Sequence, residues 1–93
     1  MPVVEWKDTA RKDLLAILDD ITDDNPDAAQ KLKDEIEAKA AKLPLHPDIY
    51  RQGRITGTRE MIVRRNYIAV YSESSKAISI LRVLHAAQYF PAS

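Results

Sequence analysis

The sequence predicts an α+β domain in which a two-helix hairpin packs on one face of a twisted antiparallel β-sheet. Apolar residues recur at helical spacing in two consecutive stretches of the first half. From Ile49 onward the period changes to β-branched and aromatic runs separated by short polar breaks. Helices gathered at the front and strands at the back indicate an α+β chain rather than an alternating α/β one. The 93 residues fit one domain, 1–93, because smaller chains bury proportionally less surface and a second core has no material to form.

Pro2-Val3-Val4-Glu5-Trp6 reads as a short strand at a sheet edge, since proline cannot donate to a ladder. Asp8 or Thr9 then caps a helix whose apolar face is Ala10, Leu14, Ile17, Leu18 and Ile21, ending near Thr22. After about four polar residues, Asn25-Pro26 starts a second helix: asparagine as N-cap, proline at the first helical position, and Asp27 against the positive end of the dipole. Its stripe is Ala29, Leu32, Ile36, Ala40 and Leu43, and Pro44 and Pro47 stop it. So short a connection folds the two helices back on each other. Strand-like runs follow at Arg54-Ile55, Arg59 to Arg64, Tyr67 to Glu73 and Ala77 to Leu84, with Gly57, Arg65-Asn66 and Ser74-Ser75-Lys76 as breaks, which implies an antiparallel meander.

Zero cysteines exclude disulfide staples and thiol chemistry. No apolar run approaches the roughly 18 residues of a membrane span and no signal segment opens the chain, so a cytoplasmic protein without membrane contact is expected. The net charge of zero is a cancellation: residues 1–48 carry seven basic and twelve acidic side chains, net −5, and residues 49–93 carry seven basic and two acidic, net +5. The basic half is almost wholly arginine, the side chain suited to bidentate recognition of anions. An arginine-lined face on the side of the sheet away from the helices is therefore expected.

Among single residues, Arg82 stands inside the apolar run Ile80-Leu81-Arg82-Val83-Leu84. Regular alternation would put it on one strand face with Ile78, Ile80 and Leu84, either paired with Glu60 across the sheet or presented to an anion. His85 follows directly and can move a proton near neutral pH; Tyr89 can stack on a base. His46 lies alone in a loop between two prolines, and Asp19-Asp20 and Asp23-Asp24 lack a ligand spacing, so no metal site is expected. Gly53 and Gly57 read as turn residues rather than a phosphate-binding loop, and no nucleophile motif surrounds the serines, so no cofactor is expected.

Taken together, Asn25-Pro26-Asp27-Ala28-Ala29, Leu43 through Pro47, Gly57-Thr58-Arg59-Glu60, Tyr67-Ile68-Ala69-Val70-Tyr71 and Ile80-Leu81-Arg82-Val83-Leu84-His85 resemble, in order and spacing, the RelE/ParE family of bacterial type II toxin–antitoxin toxins. The resemblance runs from Val3 to about Tyr89. It implies a β-α-α-β-β-β order and a growth-inhibiting toxin held in a hetero-oligomer with a cognate antitoxin, whose extended segment folds on binding and covers apolar surface.

The resemblance implies one of two activities. RelE-like members cut messenger RNA in the ribosomal decoding site with basic residues on the sheet, including an arginine after the aromatic residue of a Tyr-x-x-x-Tyr-like strand. Ile68 occupies that position here and cannot stabilise charge on a phosphate. ParE-like members poison DNA gyrase by binding, and the long hairpin, Asn25-Pro26 and the Arg82-Val83-Leu84-His85 ending resemble that branch. The leading expectation is thus a gyrase inhibitor whose contact surface includes Arg54, Arg64, Arg65 and Tyr89. The alternative is a ribosome-dependent mRNA endoribonuclease in which Arg59 and Arg82 hold the phosphate, His85 is general acid or base and Tyr89 stacks on a base.

Overall fold

The computed structural model describes residues 3–64 and 66–89. Strand β1 (Val3–Trp6) leads into helices α1 (Asp8–Asp24) and α2 (Pro26–Ala41). Strands β2 (Arg51–Gln52), β3 (Arg59–Val63), β4 (Tyr67–Glu73) and β5 (Ala77–His85) follow, and a single helical turn, α3 (Ala86–Tyr89), comes last. The sheet order is β1-β5-β4-β3-β2. β2 to β5 are antiparallel as expected, but β1 pairs parallel with β5, so the sheet is mixed. No helix among the described residues is long and apolar enough to cross a membrane.

Local chemistry sets the hairpin. Asn25, extended at φ −155°, closes α1 by donating its backbone N–H to the Ile21 carbonyl. It also opens α2 by accepting the Ala28 N–H on its side chain at 3.1 Å. One residue therefore does the work expected of four, and α1 runs on through Asp23 and Asp24. At the other end neither Asp8 nor Thr9 caps α1: Lys7 is the N-cap, without a side-chain bond, and the Thr9 hydroxyl donates instead to the Leu81 carbonyl at 2.7 Å. Downstream, the expected Arg54-Ile55 strand is a bend. The short strand forms one turn earlier, where Arg51 stands opposite Glu60 and the Gly53 N–H reaches the Thr58 carbonyl.

The core lies between α2 and the sheet. Leu32, Ile36, Ala40 and Leu43 meet Met61, Val63, Ala69, Tyr71, Ile78, Ile80 and Val83, all buried. α1 packs more shallowly: Ala10 is buried while Leu14, Ile17, Leu18 and Ile21 are half-buried against the same cluster. Regular alternation fails in β5. Tyr71 pairs with Ile80 while Val70 pairs with Arg82, leaving Leu81 as an extra residue, a β-bulge. Ile78, Ile80 and Val83 thereby share the helix-facing side, and Arg82 points away from it.

Where β1 stops, α1 takes over the outer edge of β5. Lys7 N–H donates to the Ile80 carbonyl, Thr9 to the Leu81 carbonyl, and the Val83 N–H donates to Asp13 Oδ2 at 3.0 Å. A sheet edge that would otherwise expose ladder groups is thus closed by helix side chains.

The connection from α2 to β2 is tied down in the same way. Tyr71, fully buried, donates its hydroxyl to the Pro47 carbonyl at 2.7 Å and meets the Tyr50 ring edge-on. Burial pushes the Tyr71 phenol up to about 12, against a smaller downward pull from the Arg59 guanidinium. Because the folded state favours the neutral phenol, its contribution is whole below the ordinary value of about 10 and is lost as pH rises from there towards 12. Tyr71→Phe is expected to cost about 1 kcal/mol at pH 8 through the lost hydrogen bond. Urea unfolding of both proteins should show that gap narrowing at higher pH; a constant gap would refute the role.

Candidate functional site

The described arginines of the basic half do not form one open face. Arg82 donates through Nε and Nη2 to the two oxygens of Asp13 at 2.7 and 3.2 Å, and this pairing pushes its pKa further up. Arg64, held at φ 58° in the β3–β4 turn, donates to Glu35 on α2 at 2.6 Å. Arg59 donates through Nη1 to the Tyr50 carbonyl at 2.8 Å. Arg51 donates to buried Glu60 at 2.7 Å, and the backbone N–H of Arg54 donates to the other Glu60 oxygen at 3.1 Å. Two of these pairs join an acid of the −5 half to an arginine of the +5 half, so part of the charge separation in the sequence is cancelled inside the fold.

The Glu60–Arg82 pair expected from the sequence is replaced by two others. In register, Glu60, Val70 and Arg82 follow one another across three strands, which leaves Val70 between the two charges. Each takes a nearer partner: Arg51 stands directly opposite Glu60, and Asp13 lies at the β5 edge. Neither partner was legible in the sequence. The one signal for Asp13 is an acid at the rim of the α1 apolar stripe, one position before Leu14.

The three residues of the nuclease alternative fall on both sides of the sheet. Arg59 and His85 belong to the helix-facing side, in register with Tyr71 and Tyr67, whereas Arg82 lies with Val70 on the other. His85 is half-buried with its ring edge-on to Tyr67 at 5.5 Å, and its Nδ1 accepts the Ala87 N–H at 3.1 Å, which caps α3. That bond assigns the proton of the neutral ring to Nε2. Ile68 is 2% exposed, paired between Ile62 and Leu84, and Val70 beside it is buried too. Arg65 and the side chain of Tyr89 lie outside the described residues. Among the described residues no group of three His, Cys, Asp or Glu could hold a metal ion.

Two of the apolar grooves among the described residues border α2. One, of about 390 Å³, lies against the hairpin and is lined by Trp6, Leu14, Leu15 and Leu18 with Arg11, Lys33 and Glu37 at its margins. The second, of about 210 Å³, lies at the end of α2 and is lined by Lys39, Lys42, Leu43, His46, Ile49 and Tyr50. Sequence patterning missed the second because its apolar residues fall in a connection without a period.

Fold and surface thus define a small α+β protein that carries apolar grooves and in which Arg59 and His85 lie on one side of the sheet and Arg82 on the other. The family model of the ParE toxin of the type II toxin–antitoxin system parDE matches residues 4–90, and the chain belongs to that family; it is a toxin of a type II toxin–antitoxin system. It is similar to Toxin RelE2 of Caulobacter vibrioides, 33% identical over 88 residues, covering 95% of this chain and 99% of that protein. A Sinorhizobium fredii protein, Y4kP, is 32% identical over 88 residues, covering 95% of this chain and 92% of its own. Among solved structures, a chain of the chromosomal ParDE system from P. aeruginosa superposes with a TM-score of 0.78 at 25% identity, over 91% of this chain and 95% of that one. Names from both branches occur among these relatives, so the choice of target rests on this chain's own residues.

Proposed function

We propose that the protein acts by binding, as a ParE-like inhibitor of DNA gyrase, and that a cognate antitoxin neutralises it. The observation that carries this reading is the separation of Arg59 and His85 from Arg82 by the sheet itself. A transferring phosphate needs its charge-stabilising and proton-moving groups converged within hydrogen-bond reach of one point. Here Arg82 is clamped by Asp13, the His85 Nδ1 is spent on a helix cap, and buried Ile68 supplies no charge. A binding inhibitor requires none of these to converge.

The hairpin groove suits the antitoxin. Its leucines and Trp6 offer apolar surface, and Leu15 is largely exposed on a domain too small to leave such surface idle. An extended segment that orders on binding would cover it, with Arg11, Lys33 and Glu37 fixing its polar contacts. That the P. aeruginosa match comes from a ParDE system supports the same partner.

Purified protein titrated into a gyrase supercoiling reaction is expected to block supercoiling or accumulate cleaved DNA, and added antitoxin should reverse the effect. Primer extension on ribosome-bound transcripts should show no new ends. A clean negative with gyrase over a wide concentration range, together with new transcript ends, would replace this reading with the ribosome-dependent endoribonuclease.

A further inference from the structure

Exposed aliphatic side chains are concentrated in one connection. Leu45, Ile49 and Ile55 are 62%, 64% and 64% exposed, and all three fall in the segment joining α2 to β3. An exposed leucine or isoleucine in a loose loop costs little and means little. This connection is not loose. Successive turns bond Leu45 N–H to the Lys42 carbonyl, His46 N–H to Leu43 and Ile49 N–H to His46. The buried Tyr71 hydroxyl holds Pro47, and Arg59 holds the Tyr50 carbonyl. A backbone fixed to the core that nevertheless turns its aliphatic side chains to water has the character of a preorganised docking surface, since the ordering cost of binding has already been met.

The charge beside it is positive. Lys39, Lys42 and His46 line the groove with Leu43, Ile49 and Tyr50, and Asp48 is the acid of the same connection. Lys39 is anchored by donating to the Ile62 carbonyl at 3.3 Å, whereas Lys42 and His46 are exposed. Aliphatic anchors bordered by cations fit a polypeptide surface of acidic and aliphatic side chains. A nucleic acid would instead call for a run of free cations along its phosphates and open aromatic faces for its bases, whereas here Lys39 is bonded to the Ile62 carbonyl and the Tyr50 ring is packed edge-on against Tyr71. The groove also lies well away from the hairpin groove. At about 100° per residue, the Lys33–Glu37 pair and the Lys39–Lys42 pair fall on nearly opposite sides of α2.

We infer that the groove at the end of α2, where Leu43, Ile49 and Tyr50 are bordered by Lys42 and His46, docks the toxin's protein target through an acidic, aliphatic patch, leaving the hairpin groove to the antitoxin. This rests on the reading of the protein as a toxin that binds its target. The test uses Lys42→Glu/Ile49→Ser, two exposed side chains with no part in the core, beside Lys31→Glu as an equal charge change elsewhere on α2. On induction in cells, the wild type and Lys31→Glu are expected to arrest growth. The double variant should need about tenfold more protein or fail to arrest, with unchanged thermal unfolding and undiminished co-purification with antitoxin. Loss of gyrase inhibition by the same variant would support both readings. Growth arrest by the wild type without any effect on gyrase would remove gyrase as the target while the variant still decides the surface. A double variant as toxic as the wild type, or one that stays toxic and loses the antitoxin, would overturn the inference; a wild type harmless to growth would overturn both.

Discussion

Leu32→Ala is expected to cost about 2–5 kcal/mol, the range for truncating a buried leucine that leaves a cavity. Leu32 is fully buried on the α2 stripe, within the core cluster on the helix side of the sheet. Domains of this size hold only about 5–15 kcal/mol in total. The loss should therefore lower the melting temperature by on the order of 10 °C or more. Leu15→Ala, one position after Leu14 on α1 but largely exposed, should change stability by no more than about 0.5 kcal/mol. Thermal unfolding of the two variants side by side decides the matter, and similar losses in both would mean that the hairpin packs differently.

Asp13→Ala is the second large effect, expected at about 1.5–3 kcal/mol. Its carboxylate takes three N–H groups, two from Arg82 and one from the Val83 backbone. Most of the loss should come from the Val83 N–H, because the Arg82 side chain is half exposed and such pairs are screened by solvent. Asp13→Asn keeps an oxygen for Val83 and should recover part of the stability. In a double-mutant cycle, Asp13→Ala and Arg82→Ala should couple by less than about 1 kcal/mol. A larger coupling would mean the ion pair itself holds β5. The same geometry bears on toxicity assays: Arg82→Ala leaves Asp13 without its cation, so any activity it loses must be compared with Asp13→Ala before Arg82 is assigned a role with the target.

The hairpin was legible because its signals are local. Asn25-Pro26 caps and starts α2 through bonds within three residues, and the spacing of Leu32, Ile36 and Ala40 follows from the helix period alone. The strands were legible nearly to the residue where β-branched runs met clear breaks, as at Tyr67–Glu73. Arg54-Ile55 was misread because Glu60, six residues on, draws the Arg54 N–H and sets the bend. Of the candidate site, the identities of the arginines could be read but not their partners. Ile68 could be read as an apolar residue in an arginine's place, but its burial could not.

What the sequence determined by itself is whatever period and capping encode: an α+β order, a helical hairpin, a meander, and a chain resembling the RelE/ParE toxins. Tertiary structure alone decided that β1 joins β5 in parallel, that a bulge at Leu81 takes Arg82 off the core-facing side of β5, and that Asp13 and Glu35 neutralise two arginines. It also decided that a connection without periodicity is pinned to the core and presents its aliphatic side chains outward. The reason is one of range. Local hydrogen bonds are fixed by neighbours in the chain, whereas an ion pair or an exposed anchor depends on residues some tens of positions away, whose approach only the packed fold sets.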